Sequence, residues 1–153
     1  MASLPAALPL SAASHVDVVK MRTENRVNPL GIGTSTPRFS WQITSDRKGV
    51  VQTSYQILVA SSREKLDRNE ADLWDSGERN SDEQLWIPYQ GKALLSGAQA
   101  YWKVRITTNK GKSEWTEPQL FTIGLLGETK WSGTWIGLED LQPGEQKGMH
   151  TRL

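Results

Sequence analysis

The sequence contains no cysteine, which excludes disulfide bonds and thiolate metal sites. No apolar run approaches the length of about 18 residues that is needed to cross a bilayer. Charge is balanced at 18 basic and 17 acidic residues, and no basic block stands out. Binding to nucleic acid or to an anionic membrane is therefore not expected. No cofactor is expected either, because the glycines follow turn chemistry rather than the spacing of nucleotide-binding loops.

Groups for catalysis or metal binding are also scarce. The two histidines, His15 and His150, are far apart and have no cysteine partners, so no metal site is predicted. Ser76 has no histidine nearby in the sequence to activate it as a nucleophile. No catalytic residue is therefore predicted.

Three close pairs of acidic residues are considered as candidates, because a pair of carboxyl groups is what glycoside hydrolysis requires. Residues one or three positions apart on a strand point to opposite faces, so neither spacing brings two carboxylates together. Solvated strand ends and turns are the expectation for these side chains. The pairs are Asp72 with Asp75, Asp82 with Glu83, and Glu114 with Glu117.

Tryptophan is abundant, with seven residues against two phenylalanines. The clearest strand contains Trp102, Val104 and Ile106, which alternate with polar residues and should form one buried face. The intervening Lys103, Arg105 and Thr107 should then face water. A turn at 109–111 and an apolar restart at 119–123 predict a hairpin, which needs a second sheet to cover it.

Further short strands follow from alternation and from turn residues between them. A serine followed by helix formers predicts one helical turn within 61–67. The count indicates an all-β fold, a fibronectin-III/immunoglobulin-like antiparallel β-sandwich of about seven strands. The other predicted strands are Val16–Thr23, Arg38–Ile43, Ser54–Ala60, Leu73–Gly77 and Gln84–Tyr89.

The composition divides the chain into three parts. Residues 1–15 are expected to be a disordered tail or a leader remnant, 16–127 the sandwich, and 128–153 a linker into a further domain. Trp131, Trp135 and Ile136 lie beyond the last strand that a sandwich requires. They are predicted to contact a neighbouring domain of the same parent chain, because large aromatic residues outside a closed core usually cover a neighbour.

A series of short motifs resembles the N-terminal fibronectin-III-like domain of bacterial-type α-L-rhamnosidases, which are multidomain glycoside hydrolases. No single motif is specific, but they occur in the same order with similar gaps. In chain order they are Arg38-Phe-Ser-Trp41, Gln52-Thr-Ser-Tyr-Gln-Ile57, Leu73-Trp-Asp-Ser-Gly77, Tyr89-Gln-Gly-Lys92, Tyr101-Trp-Lys-Val-Arg105, Gly111-Lys-Ser-Glu-Trp115 and Trp131-Ser-Gly-Thr-Trp-Ile136.

The resemblance implies a parent enzyme that hydrolyses terminal α-L-rhamnosides with inversion through an (α/α)₆ domain not contained in this chain. It carries no catalytic residue onto any position here. The implied role is a non-catalytic accessory or scaffolding domain, with a secreted or periplasmic location favoured.

Two alternatives remain open from the sequence: a carbohydrate-binding module that uses exposed tryptophans, and a fibronectin-type protein-interaction module. Trp41 and Trp102 are in phase with apolar neighbours and are expected in the core. Trp74, Trp86 and Trp115 are expected either in the core or at its rim.

Overall fold

Alternating apolar residues build two antiparallel sheets with one aromatic core between them. The computed structural model describes residues 15–127; residues 1–14 and 128–153, with Trp131, Trp135, Ile136 and His150, lie outside the described part. The elements are β1 Val16–Thr23, β2 Arg38–Ser45, β3 Gln52–Ala60, α1 Arg63–Asp67, β4 Trp74–Asp75, β5 Arg79–Asn80, β6 Ile87–Pro88, β7 Gln99–Thr108, β8 Gly111–Lys112 and β9 Gln119–Thr122.

The smaller sheet has the strand order β1-β2-β6. The larger sheet has the order β4-β3-β7-β8, with β5 also pairing with β3 and β9 with β7. The predicted all-β sandwich is therefore confirmed, and so is the helical turn α1, whose N-cap is Ser62. Between residues 15 and 127 no helix is long and apolar enough to span a bilayer.

The chain that follows β7 pairs with it as two short strands instead of one continuous strand. β8 pairs with the end of β7 and β9 with its beginning. Between them, hydroxyl oxygens replace the missing backbone acceptors: Ile106 N donates to Ser113 Oγ at 3.1 Å and Val104 N to Thr116 Oγ1 at 3.0 Å. The amides of β7 are thus satisfied where the neighbouring chain is not regular strand.

Aromatic side chains fill the centre of the sandwich. Phe39 of β2 and Trp102 of β7 have ring centroids 4.4 Å apart and are fully buried. Trp41 is buried beside them in the same core cluster, and its indole Nε1 donates to Gln52 Oε1 at 3.0 Å. The Gln52 amide in turn donates to two backbone oxygens, so every polar atom of this buried side chain is paired.

Two predicted strands are much shorter than expected. The predicted strand Leu73–Gly77 is reduced to β4, Trp74–Asp75. Instead of a strand over 84–89, only Ile87 and Pro88 pair with β2, because Trp86 has a φ of +59° and breaks the extended backbone. The short strand β5 was not predicted, since its Arg79 and Asn80 are both exposed and show no alternation.

The outer face of β7 is not uniformly wet, and here the sequence-based prediction was wrong. Lys103 was expected in water but is only 5% exposed. Helix α1 lies across this face and buries Leu66 against Leu58 and Ala60, which covers Lys103 as well. Arg105 and Thr107, two and four residues further along β7, are half-buried.

Candidate functional site

The first acidic pair is dominated by an ion pair. Asp72 Oδ2 lies 2.6 Å from Lys65 Nζ, and both carboxylate oxygens accept hydrogen bonds from Ser61. Desolvation opposes ionisation of this carboxyl group, but the bonds from Lys65 and Ser61 outweigh it and lower the pKa of Asp72 to about 2. Its neighbour Asp75 uses Oδ1 to accept from Gln56 Nε2 and from Gly77 N. Both carboxylates therefore stabilise loops.

The other two pairs lie at the surface. Asp82 and Glu83 are exposed in the loop before β6. Glu117 forms an ion pair with Arg63 of α1 at 2.7 Å, and Glu114 is exposed. Within residues 15–127 no group of three or more His, Asp or Glu residues could hold a metal ion.

In the described part of the chain, every carboxyl group with a displaced pKa has a lowered pKa. Hydrogen bonds, rather than burial, dominate and lower the pKa of the groups other than Asp72, which are Glu24 (bonded by Arg38), Glu64 (by its own backbone N–H and Ser62), Glu70 (by Arg68) and Glu78 (by Ser54 and Thr107). A general acid for glycoside hydrolysis needs a raised pKa, since it must be protonated near neutral pH. None of these carboxyl groups has that property.

The tryptophans separate into three environments. Trp41 and Trp102 are buried in the core as predicted, and Trp74 is 9% exposed beside them. Trp115 lies half-buried on the outer face of the large sheet. Trp86 is 47% exposed on the side of the small sheet, where it stays available for contact with another molecule.

Trp115 forms an outer cluster with two cations of β7. Lys103 Nζ is 5.1 Å from the ring centroid and the Arg105 guanidinium carbon 4.4 Å. Lys103 Nζ also donates to Leu66 O and to Asn69 Oδ1, which ties α1 to the sheet. Desolvation lowers the pKa of Lys103. With these contacts made inside the domain, the cluster is structural.

A tyrosine missed by the sequence reasoning closes one corner of the sandwich. Tyr89 is buried, and its hydroxyl donates to Lys92 O at 2.7 Å. Burial, together with the charge of Asp72, raises the pKa of Tyr89 to about 12. A Cβ on Gly91 would lie 2.4 Å from the Trp74 Cβ and 2.5 Å from the Tyr89 hydroxyl, so only glycine fits this turn.

The chain leaves the described domain through an apolar ledge, a name used here for the exposed side chains of Leu30, Leu95 and Leu125. They are 72%, 72% and 60% exposed. Backbone hydrogen bonds hold the segment around Leu125 between the other two: Gly124 N donates to Ile32 O at 2.8 Å, and Gly97 N to Ile123 O at 3.0 Å. The ledge is thus a fixed apolar surface where residue 128 begins.

Comparison with known proteins gives a consistent result. A family model described as the Rha78A-like, N-terminal immunoglobulin domain matches residues 18–127. The chain belongs to this family. The resemblance found in the sequence motifs is thereby confirmed, with the sandwich classed as an immunoglobulin domain.

Relatives of this immunoglobulin domain occur in much longer proteins. An alpha-L-rhamnosidase of Formosa agariphila is 39% identical over 125 residues, which is 80% of this chain and 13% of the relative. The structure of the Streptomyces avermitilis alpha-L-rhamnosidase complexed with L-rhamnose matches with a TM-score of 0.74 and 36% identity, over 80% of this chain and 12% of that one. The enzyme from Dictyoglumus thermophilum gives 0.73 and 35% identity, over 80% and 14%.

Proposed function

We propose that this chain is a non-catalytic accessory domain of an α-L-rhamnosidase that hydrolyses terminal α-L-rhamnosides elsewhere in its parent. The observation that carries the proposal is the state of its carboxyl groups. Each displaced pKa is lowered, and the best-placed acid, Asp72, is held ionised by Lys65. Among the residues that the structure describes, a carboxyl group with a lowered pKa is ionised at neutral pH and cannot protonate a leaving glycoside oxygen, which supports a non-catalytic role.

The test is hydrolysis of 4-nitrophenyl α-L-rhamnopyranoside by the 153-residue chain. Release of nitrophenol at the buffer rate is expected at pH 4 to 8. The contrary result would be turnover that Asp72→Asn or Glu117→Gln abolishes while thermal unfolding shows the variant folded. The comparison with Asp82→Asn, an exposed carboxylate, controls for a general charge effect.

The accessory role that we propose is to support the neighbouring domain of the parent chain through the apolar ledge. The chain spans only 10–14% of the rhamnosidases it matches, so most of such a parent lies outside it. Leu125 of the ledge lies two residues before the described part of the chain ends at residue 127. Trp131, Trp135 and Ile136 fall in the segment 128–153, within about 35 Å of extended chain from residue 127. We propose that they contact the same neighbouring domain.

Replacing the three ledge leucines by serine separates this role from folding. In the 153-residue chain the thermal midpoint should hardly change, because exposed substitutions cost less than about 0.5 kcal/mol each. In the full-length parent the midpoint should fall and rhamnosidase activity should be lost earlier on heating. An unchanged parent would show that the ledge does not support a neighbouring domain.

A further inference from the structure

A cleft on the outer side of the small sheet is not used by the accessory role. It has a volume of about 240 Å³, and Trp86 and Leu85 form its apolar part. Its polar part comes from β1, β2 and the turn after β1. The polar lining residues are Lys20, Arg22, Asn25, Ser40 and Gln42.

Trp86 is held in a fixed orientation at this cleft. Its backbone N–H donates to Ser40 Oγ at 3.1 Å. The guanidinium carbon of Arg38 lies 4.3 Å from the ring centroid. Arg38 is itself fixed by Glu24, with Nε–Oε1 at 3.0 Å and the second pair at 2.8 Å. The guanidinium takes one face of the indole, yet the residue keeps 47% of its surface exposed.

Positive φ values occur around the same cleft. Within residues 15–127, six non-glycine residues have positive φ, and four of them line or support it: Lys20 at 50°, Glu24 at 47°, Asn25 at 63° and Trp86 at 59°. Those of Glu24 and Asn25 are ordinary for the two-residue turn that Thr23 and Arg26 close, so the strain lies at Trp86. For a residue as bulky as tryptophan this conformation is a genuine outlier. Such strain persists only when the surrounding structure imposes it, and it clusters at binding sites.

The cleft also carries uncompensated positive charge. In the described part of the chain neither Lys20 nor Arg22 has a carboxylate within 4.0 Å. Arg22 donates one hydrogen bond, to Asn25 O at 3.1 Å, and the guanidinium has further donors free. Glu24, in the turn after β1, is already paired with Arg38. A ligand with a carboxylate or sulfate would supply the missing counter-charge.

We propose that this cleft binds an acidic sugar residue of a glycan, with Trp86 against the ring and Lys20 and Arg22 on its anionic group. A pyranose offers a flat apolar face to an indole, and its hydroxyls match the amides of Asn25 and Gln42. Lys20 argues against a protein partner, because lysine is depleted at the centres of protein interfaces. The proposal does not depend on the identity of the parent enzyme.

Two trimers that differ only at C6 test the proposal on the 153-residue chain. They are an α-1,4-linked galacturonate trimer and the neutral α-1,4-linked galactose trimer, titrated by calorimetry at low and high salt. The acidic trimer should bind more tightly than the neutral one, and its affinity should fall with salt because the contact with the cations is exposed.

Variants then locate the site. Trp86→Gly removes the ring and relieves the positive φ, so the domain stays folded while affinity falls about tenfold. Lys20→Gln should weaken binding by about two- to fivefold. Lys48→Gln, an exposed lysine outside the cleft, should have no effect.

Three outcomes would overturn the proposal. The first is no heat of binding up to about 10 mM acidic trimer, which would leave a contact with a protein partner as the explanation of the exposed ring. The second is undiminished binding by Trp86→Gly. The third is an equal loss of affinity in Lys20→Gln and Lys48→Gln. That result would mean that the trimer binds non-specifically through the positive charge of the protein.

Discussion

Replacing Asp72 by asparagine tests the central electrostatic argument of this structure. The side chain is 32% exposed and lies 2.6 Å from Lys65 Nζ, and its pKa falls from 3.8 to about 2 on folding. A shift of this size corresponds to about 2.4 kcal/mol at most. Since a third of the side chain is in water, screening reduces the contribution to about 1–2 kcal/mol.

The sign of the pH dependence follows from the lowered pKa. A carboxyl group that is more acidic when folded stabilises the folded state above its unfolded pKa, and the contribution disappears as pH falls through its folded pKa. At pH 7 Asp72→Asn should therefore lower the free energy of unfolding by about 1–2 kcal/mol. Between pH 3.8 and about 2 the difference from the unmodified chain should shrink towards zero.

Urea unfolding followed by tryptophan fluorescence measures this difference at a series of pH values. Asp82→Asn, an exposed carboxylate, is the matched control and should change stability by less than about 0.5 kcal/mol at every pH. Lys65→Met in the Asp72→Asn background should add little, because the pair is already broken. A loss for Asp72→Asn that is the same at pH 7 and pH 2 would refute the ion-pair explanation.

Three further predictions concern packing and burial, each measured by urea unfolding. Gln52→Leu leaves the buried Trp41 indole N–H unpaired, whereas the Ser81 and Glu83 carbonyl oxygens lie nearer the surface, so it should cost about 1–3 kcal/mol; a cost below about 0.5 kcal/mol would contradict the network. Trp102→Ala should cost about 3–5 kcal/mol, whereas Trp86→Gly should cost almost nothing, and equal losses would contradict their assigned environments. Lys103 has a lowered pKa, so the unfolded state binds its proton more tightly, and stability should rise with pH from the folded pKa towards 10.5. Lys103→Met should abolish this rise in stability with pH. If the rise persists in the variant, another group causes it.

The family was available from ordered short motifs, and the structure adds observations on the carboxyl groups that support the proposed accessory role. Asp72, Asp75 and Glu117 looked unlikely to converge from spacing alone. Folding places each beside a cation, an amide or a backbone N–H. For Asp72 these contacts lower the pKa, which is the opposite of what a general acid needs. The fold decides which groups contact Asp72: Ser61 and Lys65, 11 and 7 residues earlier in the chain, reach it across the helical turn.

The sequence by itself determined the longer strands, their apolar inward faces and the core tryptophans Trp41 and Trp102, because the alternation of apolar and polar residues is a local property of each strand. Val16–Thr23 and Trp102 follow from this alone. Only the tertiary structure decided that Lys103 is covered and that Trp86 stands exposed in a strained conformation. Both depend on which distant segment crosses a given face, α1 in one case and the β2 edge in the other, and no local period encodes that.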